Sequence, residues 1–185
     1  MGINSPFPTV IARRISFECP WFILRCKDVL AEHGTEEFFV LECPDFVCTC
    51  ARTPTGLFPL VRQYRPSVEQ LVWEFPAGTV DDGEDSLAAS ERELYEETGH
   101  RARRTHVLGA YAVDYGRLSN RVHCFFSEVN DRDPNFTEEF GIHCDLFSAN
   151  EIDAMVRNGD LAGVQHVALW HLVRSKGLVD VDSAR

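Results

Sequence analysis

A cluster of carboxylates in residues 91–97 is the part of the sequence best suited to chemistry. Glu93 and Glu97 are four residues apart and Glu93 and Glu96 are three apart, so on a helix their side chains share one face. Like charges at this spacing destabilise a helix, and the helix dipole disfavours anions in its C-terminal half. A hard divalent cation would reverse this penalty, because Mg²⁺ prefers oxygen ligands from carboxylates and substrate phosphates. The cluster therefore indicates a metal site, with an ordinary acidic surface as the alternative.

The helix that must hold these carboxylates is predicted over Ser86–Thr98. Asp85 or Ser86 can cap its start, and Gly99 suits its end. Before it, residues 71–75 read as a strand that ends at 76–78, followed by a polar loop that can bring a backbone carbonyl and the Glu84 carboxylate toward the helix. The helix is expected to pack on a sheet through Leu87, Ala88 and Leu94. Such packing would hold the ligands in place.

The rest of the chain predicts strands and then helices. Residues 45–52 and 57–65 read as strands that pair as a hairpin across a proline- and glycine-containing turn at 53–56. Ser148 and Glu151 form a capping-box pattern that opens a helix ending at Gly159. Further strands are predicted at residues 15–30, 36–41, 106–113, 121–129 and 142–147, the first of them with a break near Cys19-Pro20. A last helix is predicted with one face made of Val164, Val167, Ala168 and Leu172.

This order of elements favours an α+β or α/β/α layered domain. Residues 1–45 are predicted as an N-terminal β extension and residues 46–185 as the main domain.

Composition narrows the class of function. The chain has 185 residues and a net charge of −11, which argues against a nucleic-acid partner. It has no apolar run of membrane-spanning length and no recognisable secretory signal, so a cytoplasmic protein without a membrane partner is expected. The seven cysteines include Cys48 and Cys50 on one strand face, which favours buried reduced thiols over the alternative of a zinc site.

The carboxylate helix and its preceding loop together resemble the Nudix box. The matching pattern is Gly78, five residues, Glu84, seven residues, and then Arg92-Glu93-Leu94-Tyr95-Glu96-Glu97-Thr98-Gly99. The one departure is the final position, usually aliphatic, which is His100 and is interpreted as a packing position. The resemblance implies the Nudix fold, a mixed sheet between helices, and metal-dependent hydrolysis of a nucleoside diphosphate linked to another group.

The resemblance also assigns roles to individual residues. It implies Mg²⁺ or Mn²⁺ held by Glu93 and Glu97, with Glu96 as an additional or water-mediated ligand and a candidate catalytic residue. The Ala77 carbonyl resembles a backbone ligand. Arg92 and Glu84 would hold the box glutamates in place, and Gly78 and Gly99 would shape the box.

Residues outside the box resemble the ADP-ribose and nucleoside diphosphate sugar pyrophosphatases. The segments concerned are Gln63-Tyr64-Arg65-Pro66 and Trp73-Glu74-Phe75-Pro76-Ala77-Gly78. In that branch, residues placed like Arg65 and Glu74 contact the nucleobase, and an aromatic residue placed like Trp21 stacks on it from the partner of a homodimer. The alternatives are a surface ion pair for Arg65 and core packing for Trp21.

The general base and the substrate are less well defined by the resemblance. Glu139 is favoured as the base and Glu138 follows, with plain solvation of a loop as the alternative. The resemblance leads us to expect a proline some 15 residues beyond the box, but residues 111–119 contain none. Arg117 in this segment and Arg121 just after it are candidate phosphate contacts.

Three functions follow from these residues. ADP-ribose is the first candidate substrate, with GDP-mannose, NADH and other nucleotides as alternatives. A nucleotide-sensing module is disfavoured, because such modules often lose box glutamates and this sequence keeps them. Action on nucleoside triphosphates or capped RNA is a third possibility.

Overall fold

The computed structural model describes residues 7–179. Its elements in chain order are β1 (Thr9–Cys19), β2 (Phe22–Ala31), β3 (Gly34–Glu42), β4 (Phe46–Arg52), β5 (Phe58–Arg65), β6 (Gln70–Glu74), β7 (Ala77–Thr79), α1 (Ser86–Thr98), β8 (Ala102–Ala112), β9 (Arg121–Val129), β10 (Ile142–Phe147), α2 (Ala149–Asn158) and α3 (Val164–Ser175). No helix within residues 7–179 is long and apolar enough to cross a bilayer.

The chain divides into two compact units, residues 1–44 with 112–121 and residues 45–111 with 122–185. In the first unit β1, β2 and β3 form an antiparallel sheet, and the break near Cys19-Pro20 lies at the turn from β1 to β2. Residues 117–119 run beside β3, since Leu41 donates to the Arg117 carbonyl over 2.8 Å and Ser119 donates to the Leu41 carbonyl over 3.1 Å. The 112–121 segment, placed in the main domain by the sequence, therefore packs with the N-terminal strands.

The second unit contains two sheets with interleaved connections. The strand order of the first is β7-β4-β9-β8, in which β4 runs parallel to β9 and antiparallel to β7, so this sheet is mixed. The second is antiparallel, with the order β10-β5-β6.

The predicted hairpin of β4 with β5 is wrong. The turn itself forms, with the Gly56 N–H donating to the Thr53 carbonyl over 3.0 Å. However, both edges of β4 are taken by β7 and β9, and β5 lies between β10 and β6. A turn signal between two strands thus marked a crossing from one sheet to the other.

The helices cover both faces of the mixed sheet. Alternate residues of β4 point to opposite faces, and Val47 and Ala51 pack with Ala89 and Leu94 of α1. On the other face, Cys48 and Cys50 join the main core with residues of α2 and α3 that include Ile152, Met155, Leu169 and Trp170. This arrangement is the predicted α/β/α layering, and all seven cysteines are free thiols.

Two predicted helix faces are rotated from the observed ones. In α1, Leu94 is buried as predicted, but Leu87 and Ala88 are exposed, and Ala89, Ser90, Glu97 and Thr98 are buried instead. The Ser90 hydroxyl is hydrogen-bonded to that of Thr49 over 2.9 Å, which satisfies both groups in the core. In α3 the buried residues are His166, Leu169, Trp170 and Val173, because Trp170 packs against Phe58 and Phe75.

Two smaller differences concern strand limits. β8 begins at Ala102, four residues before the predicted start at residue 106. The stretch predicted only to end β6 also contains the short strand β7, which pairs with β4.

Candidate active site

Helix α1 has defined caps at both ends. The Asp85 carboxylate accepts a hydrogen bond from the Leu87 N–H over 3.0 Å. At the other end Gly99 has a φ of 73°, a left-handed conformation that glycine adopts at little cost, and its N–H donates to the Tyr95 carbonyl. The predicted helix limits are confirmed, and the carboxylates lie in its last two turns.

Arg92 gathers the box carboxylates. It donates to both oxygens of Glu84, from Nε over 2.9 Å and from Nη2 over 2.8 Å. Its Nη1 donates to Glu93 over 2.7 Å and to Glu96 over 3.1 Å, and Nη2 also reaches the Thr79 carbonyl. The hydrogen bonds from Arg92 lower the pKa of Glu84 to about 2. A planar guanidinium with five N–H groups can hold this set, which a lysine cannot do.

Glu97 is a nearly buried acid, with only 6% of its surface exposed. Its Oε2 accepts a hydrogen bond from the Ala77 N–H over 3.0 Å. Burial raises the pKa of Glu97 to about 8, and the negative charges of Glu93 and Glu74 add to the effect. Burial also raises the pKa of Glu93, although Arg92 opposes it.

Gly78 allows close contact between β7 and α1. A Cβ at this position would collide with the carboxylate of Glu93. Any larger residue here would therefore displace the Glu93 carboxylate from its observed position beside the strand backbone.

The chemistry of the residues on this helix face suits a hard divalent cation. Glu93, Glu96 and Glu97 supply carboxylate oxygens on one helix face, and the Ala77 backbone is in direct contact with Glu97. Burial penalises the ionised form of Glu93 and Glu97, and a bound cation would offset this penalty. Oxygen-only donors suit Mg²⁺ and Mn²⁺ better than soft metals.

A cavity of about 420 Å³ is lined by Arg65, Glu74, Trp73, Gln165 and other residues near β6 and the start of α3. The charges of its lining residues Glu74 and Arg65 act on Glu97. Glu74 is 7% exposed, and Arg65 donates to it from Nε over 3.1 Å and from Nη2 over 2.6 Å. Burial opposes ionisation of Glu74, but the facing groups of His166 and Arg65 outweigh it and lower the pKa to about 2. The pair thus presents an acceptor and a donor at one cavity.

His166 is a member of this site that the sequence did not reveal. Its Nδ1 accepts a hydrogen bond from the Phe75 N–H over 3.3 Å, and its Nε2 lies 3.7 Å from Glu74. The ring is buried and also faces the Glu74 carboxylate. Its separation of 92 residues from Glu74 left no local signal.

Comparison with known proteins decides the family. The Nudix domain profile matches residues 45–166, which is more than half of the 185 residues. The chain belongs to the Nudix family.

Two of the relatives carry the names of ADP-sugar and ADP-ribose pyrophosphatases. The chain is 32% identical over 124 residues to an ADP-sugar pyrophosphatase of Mus musculus, covering 64% of this chain and 57% of that protein. It is 33% identical over 89 residues to an ADP-ribose pyrophosphatase of Bacillus subtilis (strain 168), covering 48% of each. The chain thus spans about half the length of the curated relatives it matches.

A solved structure described as an ADP compounds hydrolase superposes with a TM-score of 0.79 at 18% identity, covering 96% of this chain and 98% of that one. At this identity the likeness establishes the fold, and the predicted Nudix fold is confirmed.

The two candidates for the general base of this Nudix protein differ in their surroundings. Glu138 accepts hydrogen bonds from Arg132 over 2.9 Å and from the Cys144 N–H over 3.4 Å, and its pKa is lowered, chiefly by the bond from Arg132. Glu139 is exposed on the same loop, and its carboxylate makes no hydrogen bond within the described part of the chain. Glu138 is therefore not merely a solvated loop residue, because hydrogen bonds from its neighbours hold its carboxylate in place.

The remaining predicted substrate residues belong mainly to the first unit. Trp21 is 79% exposed at the β1–β2 turn, so the alternative of core packing is wrong. The Arg117 guanidinium lies 5.1 Å from the ring centre of Phe38, and its Nη1 donates to the Gly116 carbonyl. Arg121 is exposed at the start of β9. Their roles as stacking and phosphate contacts stay predictions.

Proposed function

We propose that this Nudix protein hydrolyses the pyrophosphate bond of a nucleoside diphosphate sugar in the presence of Mg²⁺ or Mn²⁺. ADP-ribose is the first candidate substrate, giving AMP and ribose 5-phosphate. The observation that carries the proposal is the nearly buried Glu97, grouped with Glu93 and Glu96 next to the cavity of Arg65 and Glu74. Phosphate chemistry and nucleobase recognition could then occur on one surface.

The residues have separate roles in this proposal. Glu93, Glu97 and the Ala77 carbonyl would hold the cation, with Glu96 directly or through water. When bound, the cation would neutralise charge on the pyrophosphate and activate the attacking water. Arg92 positions Glu93 and Glu96 through the hydrogen bonds it donates.

Arg65 and Glu74 would bind the nucleobase edge. Purine edges place a hydrogen-bond donor beside an acceptor, and the paired guanidinium and carboxylate can match such an edge. Among the described residues no hydrogen bond uses Nη1 of Arg65, so it is available to a ligand in the cavity.

Glu139 is the preferred general base. A base must accept a proton from water, and the Glu138 carboxylate is already engaged by Arg132, His143 and the Cys144 N–H. The exposed Glu139 is free of such competition within residues 7–179.

Glu97→Gln tests the chemistry. The amide keeps a carbonyl oxygen that can accept from the Ala77 N–H, so the fold should persist. It removes the negative charge that a cation requires, so turnover should fall about a hundredfold or more. Mutation of residues that merely support a metal ligand already lowers metal affinity or activity about 10–100-fold. The measurement is the release of AMP from ADP-ribose with Mg²⁺ present, together with a thermal unfolding curve.

Glu91→Gln is the matched control, because Glu91 is an exposed glutamate on the same helix, and within residues 7–179 its carboxylate accepts a hydrogen bond from Thr105 alone. It should keep wild-type turnover. Near-normal activity of Glu97→Gln would remove the basis of the metal assignment.

The substrate is tested by a panel of ADP-ribose, GDP-mannose, UDP-glucose and NADH. The names of the mouse and Bacillus subtilis relatives favour ADP-ribose or another ADP-sugar. The absence of proline in residues 111–119 keeps GDP-mannose and NADH in the panel. Turnover of none of them would favour the nucleotide-sensing alternative.

The homodimer and the cytoplasmic location stay predictions. Exposed apolar side chains on the first unit, Ile11, Ile15, Phe17 and Trp21, are consistent with a partner surface. Sizing of the protein in solution decides the oligomeric state.

A further inference from the structure

A second cavity of the Nudix unit, of about 500 Å³, has no role in the site described above. Its volume is within the usual range for small-molecule sites. It is lined by Thr53, Thr55, His100, Asp131, Arg132, Cys144, Asp145 and Leu146, most of which carry polar or charged side chains.

His100 is a nearly buried residue in the lining of this cavity, and one of its two ring nitrogens has no hydrogen-bond partner among residues 7–179. The residue is 3% exposed, and its Nδ1 lies 2.9 Å from the Asn130 carbonyl. A carbonyl only accepts, so Nδ1 carries the proton and Nε2 of the neutral ring is an acceptor. Within the described chain Nε2 makes no hydrogen bond. An aliphatic residue is usual at this place of the box, so packing alone does not require an imidazole.

The two cavities lie on opposite sides of β5, and α1, which carries Glu97, contacts β5. In the antiparallel sheet Val61 is the register partner of both Glu74 and Cys144, which places their backbones about 10 Å apart across two strand spacings. Glu74 lines the first cavity and Cys144 lines the second. The charge of Glu97 acts on both residues, and α1 contacts both β5 and β10.

We propose that the cavity at His100 binds the sugar half of the substrate, beyond the pyrophosphate, with Nε2 of His100 accepting a hydrogen bond from a sugar hydroxyl. This inference rests on the proposed function, because it takes the pyrophosphate to lie at Glu93 and Glu97. A nucleoside diphosphate sugar is elongated, with its base and its sugar on opposite sides of two phosphates. Cavities on two sides of β5 match that shape.

The chemistry of the lining suits a polyhydroxyl group. Each sugar hydroxyl can donate and accept, so it can pair with the His100 acceptor, the carboxylates of Asp131 and Asp145, and the Arg132 donor. Arg132 is held in place by Glu138 over 2.9 Å and lies over the Phe136 ring. A second nucleobase is a poorer fit, since aromatic side chains are missing from the lining.

His100→Leu tests the inference, since it restores the aliphatic side chain usual in the family. The exposed Asn130 carbonyl can be satisfied by water, so the fold should persist, which a thermal unfolding curve checks. The two products separate the two halves of the site. Inhibition of ADP-ribose hydrolysis by ribose 5-phosphate should weaken about fivefold, because one hydrogen bond between neutral groups is lost. Inhibition by AMP should not change.

Three further measurements separate binding from a structural effect. Hydrolysis of the methyl ester of ADP, which has no sugar beyond the second phosphate, should be the same in wild type and His100→Leu. His100→Gln keeps an acceptor and should retain more of the ribose 5-phosphate inhibition. His171→Leu, an exposed histidine on α3, should leave both inhibition constants unchanged.

The inhibition constants of AMP and ribose 5-phosphate separate failure of this inference from failure of the proposed function. Equal weakening for AMP and ribose 5-phosphate, or weakening for neither, overturns the inference while leaving the proposed function intact. If the wild type hydrolyses no nucleotide sugar, the proposed function itself fails. Calorimetric titration of ribose 5-phosphate then tests the cavity directly, with weaker binding to His100→Leu supporting it and no binding to the wild type overturning it.

Discussion

At the scale of single residues, Gly78 controls how the box glutamates approach β7. Gly78→Ala should reduce turnover at least tenfold, because the new Cβ would collide with the Glu93 carboxylate and displace a predicted metal ligand. The φ of Gly78 is not positive, so the backbone itself accepts alanine. Steady-state kinetics across a Mg²⁺ titration measures both turnover and metal dependence.

A double-mutant cycle with Glu93→Ala checks the cause. Once the carboxylate is removed, adding Gly78→Ala should have no further effect on turnover or stability. An equal loss in both backgrounds would show that the alanine acts through the backbone and not through Glu93.

The residues that sequence could predict are those whose function lies in local spacing. Glu93, Glu96 and Glu97 share a face because of the helical repeat, and Arg92 lies next to them in the chain. By contrast, His166 meets Glu74 only through packing of α3 on β6, and the role of His100 depends on a cavity formed with residues 53–55 and 144–146. Neither neighbourhood leaves a pattern in the sequence.

At the scale of elements, the Asp85 cap sets where the metal-site helix begins. Asp85→Ala should lower the free energy of unfolding by about 1 kcal/mol, because the Leu87 N–H loses its acceptor. Turnover should change little, since the carboxylates lie two to three turns away. Urea denaturation measures the effect, and the exposed Asp82→Ala, in the preceding loop, should leave stability unchanged.

The limits of helices and strands were more predictable from the sequence than the strands and helices against which they pack. The limits of α1, β9 and β10 agree with prediction, because caps and apolar patterns are local. The pairing of β4 with β7 and β9 is not local, so the hairpin prediction failed. The buried faces of α1 and α3 were missed for a related reason, since Ser90, Glu97 and His166 are polar residues that become buried through specific partners.

At the scale of the whole molecule, the contacts of the nearly buried Glu74 carboxylate with His166 and Arg65 should make stability depend on pH. Contacts with His166 and Arg65 outweigh burial and lower the pKa of Glu74 in the folded protein to about 2, from 4.5 for an unperturbed glutamate. Because the folded value is the lower one, Glu74 stabilises the fold fully above about pH 5, and this contribution is lost as the pH falls toward 2. Glu74→Gln should therefore cost about 2 kcal/mol at pH 7.

The test is the difference in unfolding free energy between wild type and Glu74→Gln, from urea denaturation at several pH values. The difference should be constant from pH 7 to about pH 5 and should shrink between about pH 4.5 and pH 2. Glu69→Gln, an exposed change in the turn between β5 and β6, should follow the wild-type curve. A difference that stays constant down to pH 2 would mean that the carboxylate charge of Glu74 does not stabilise the folded molecule.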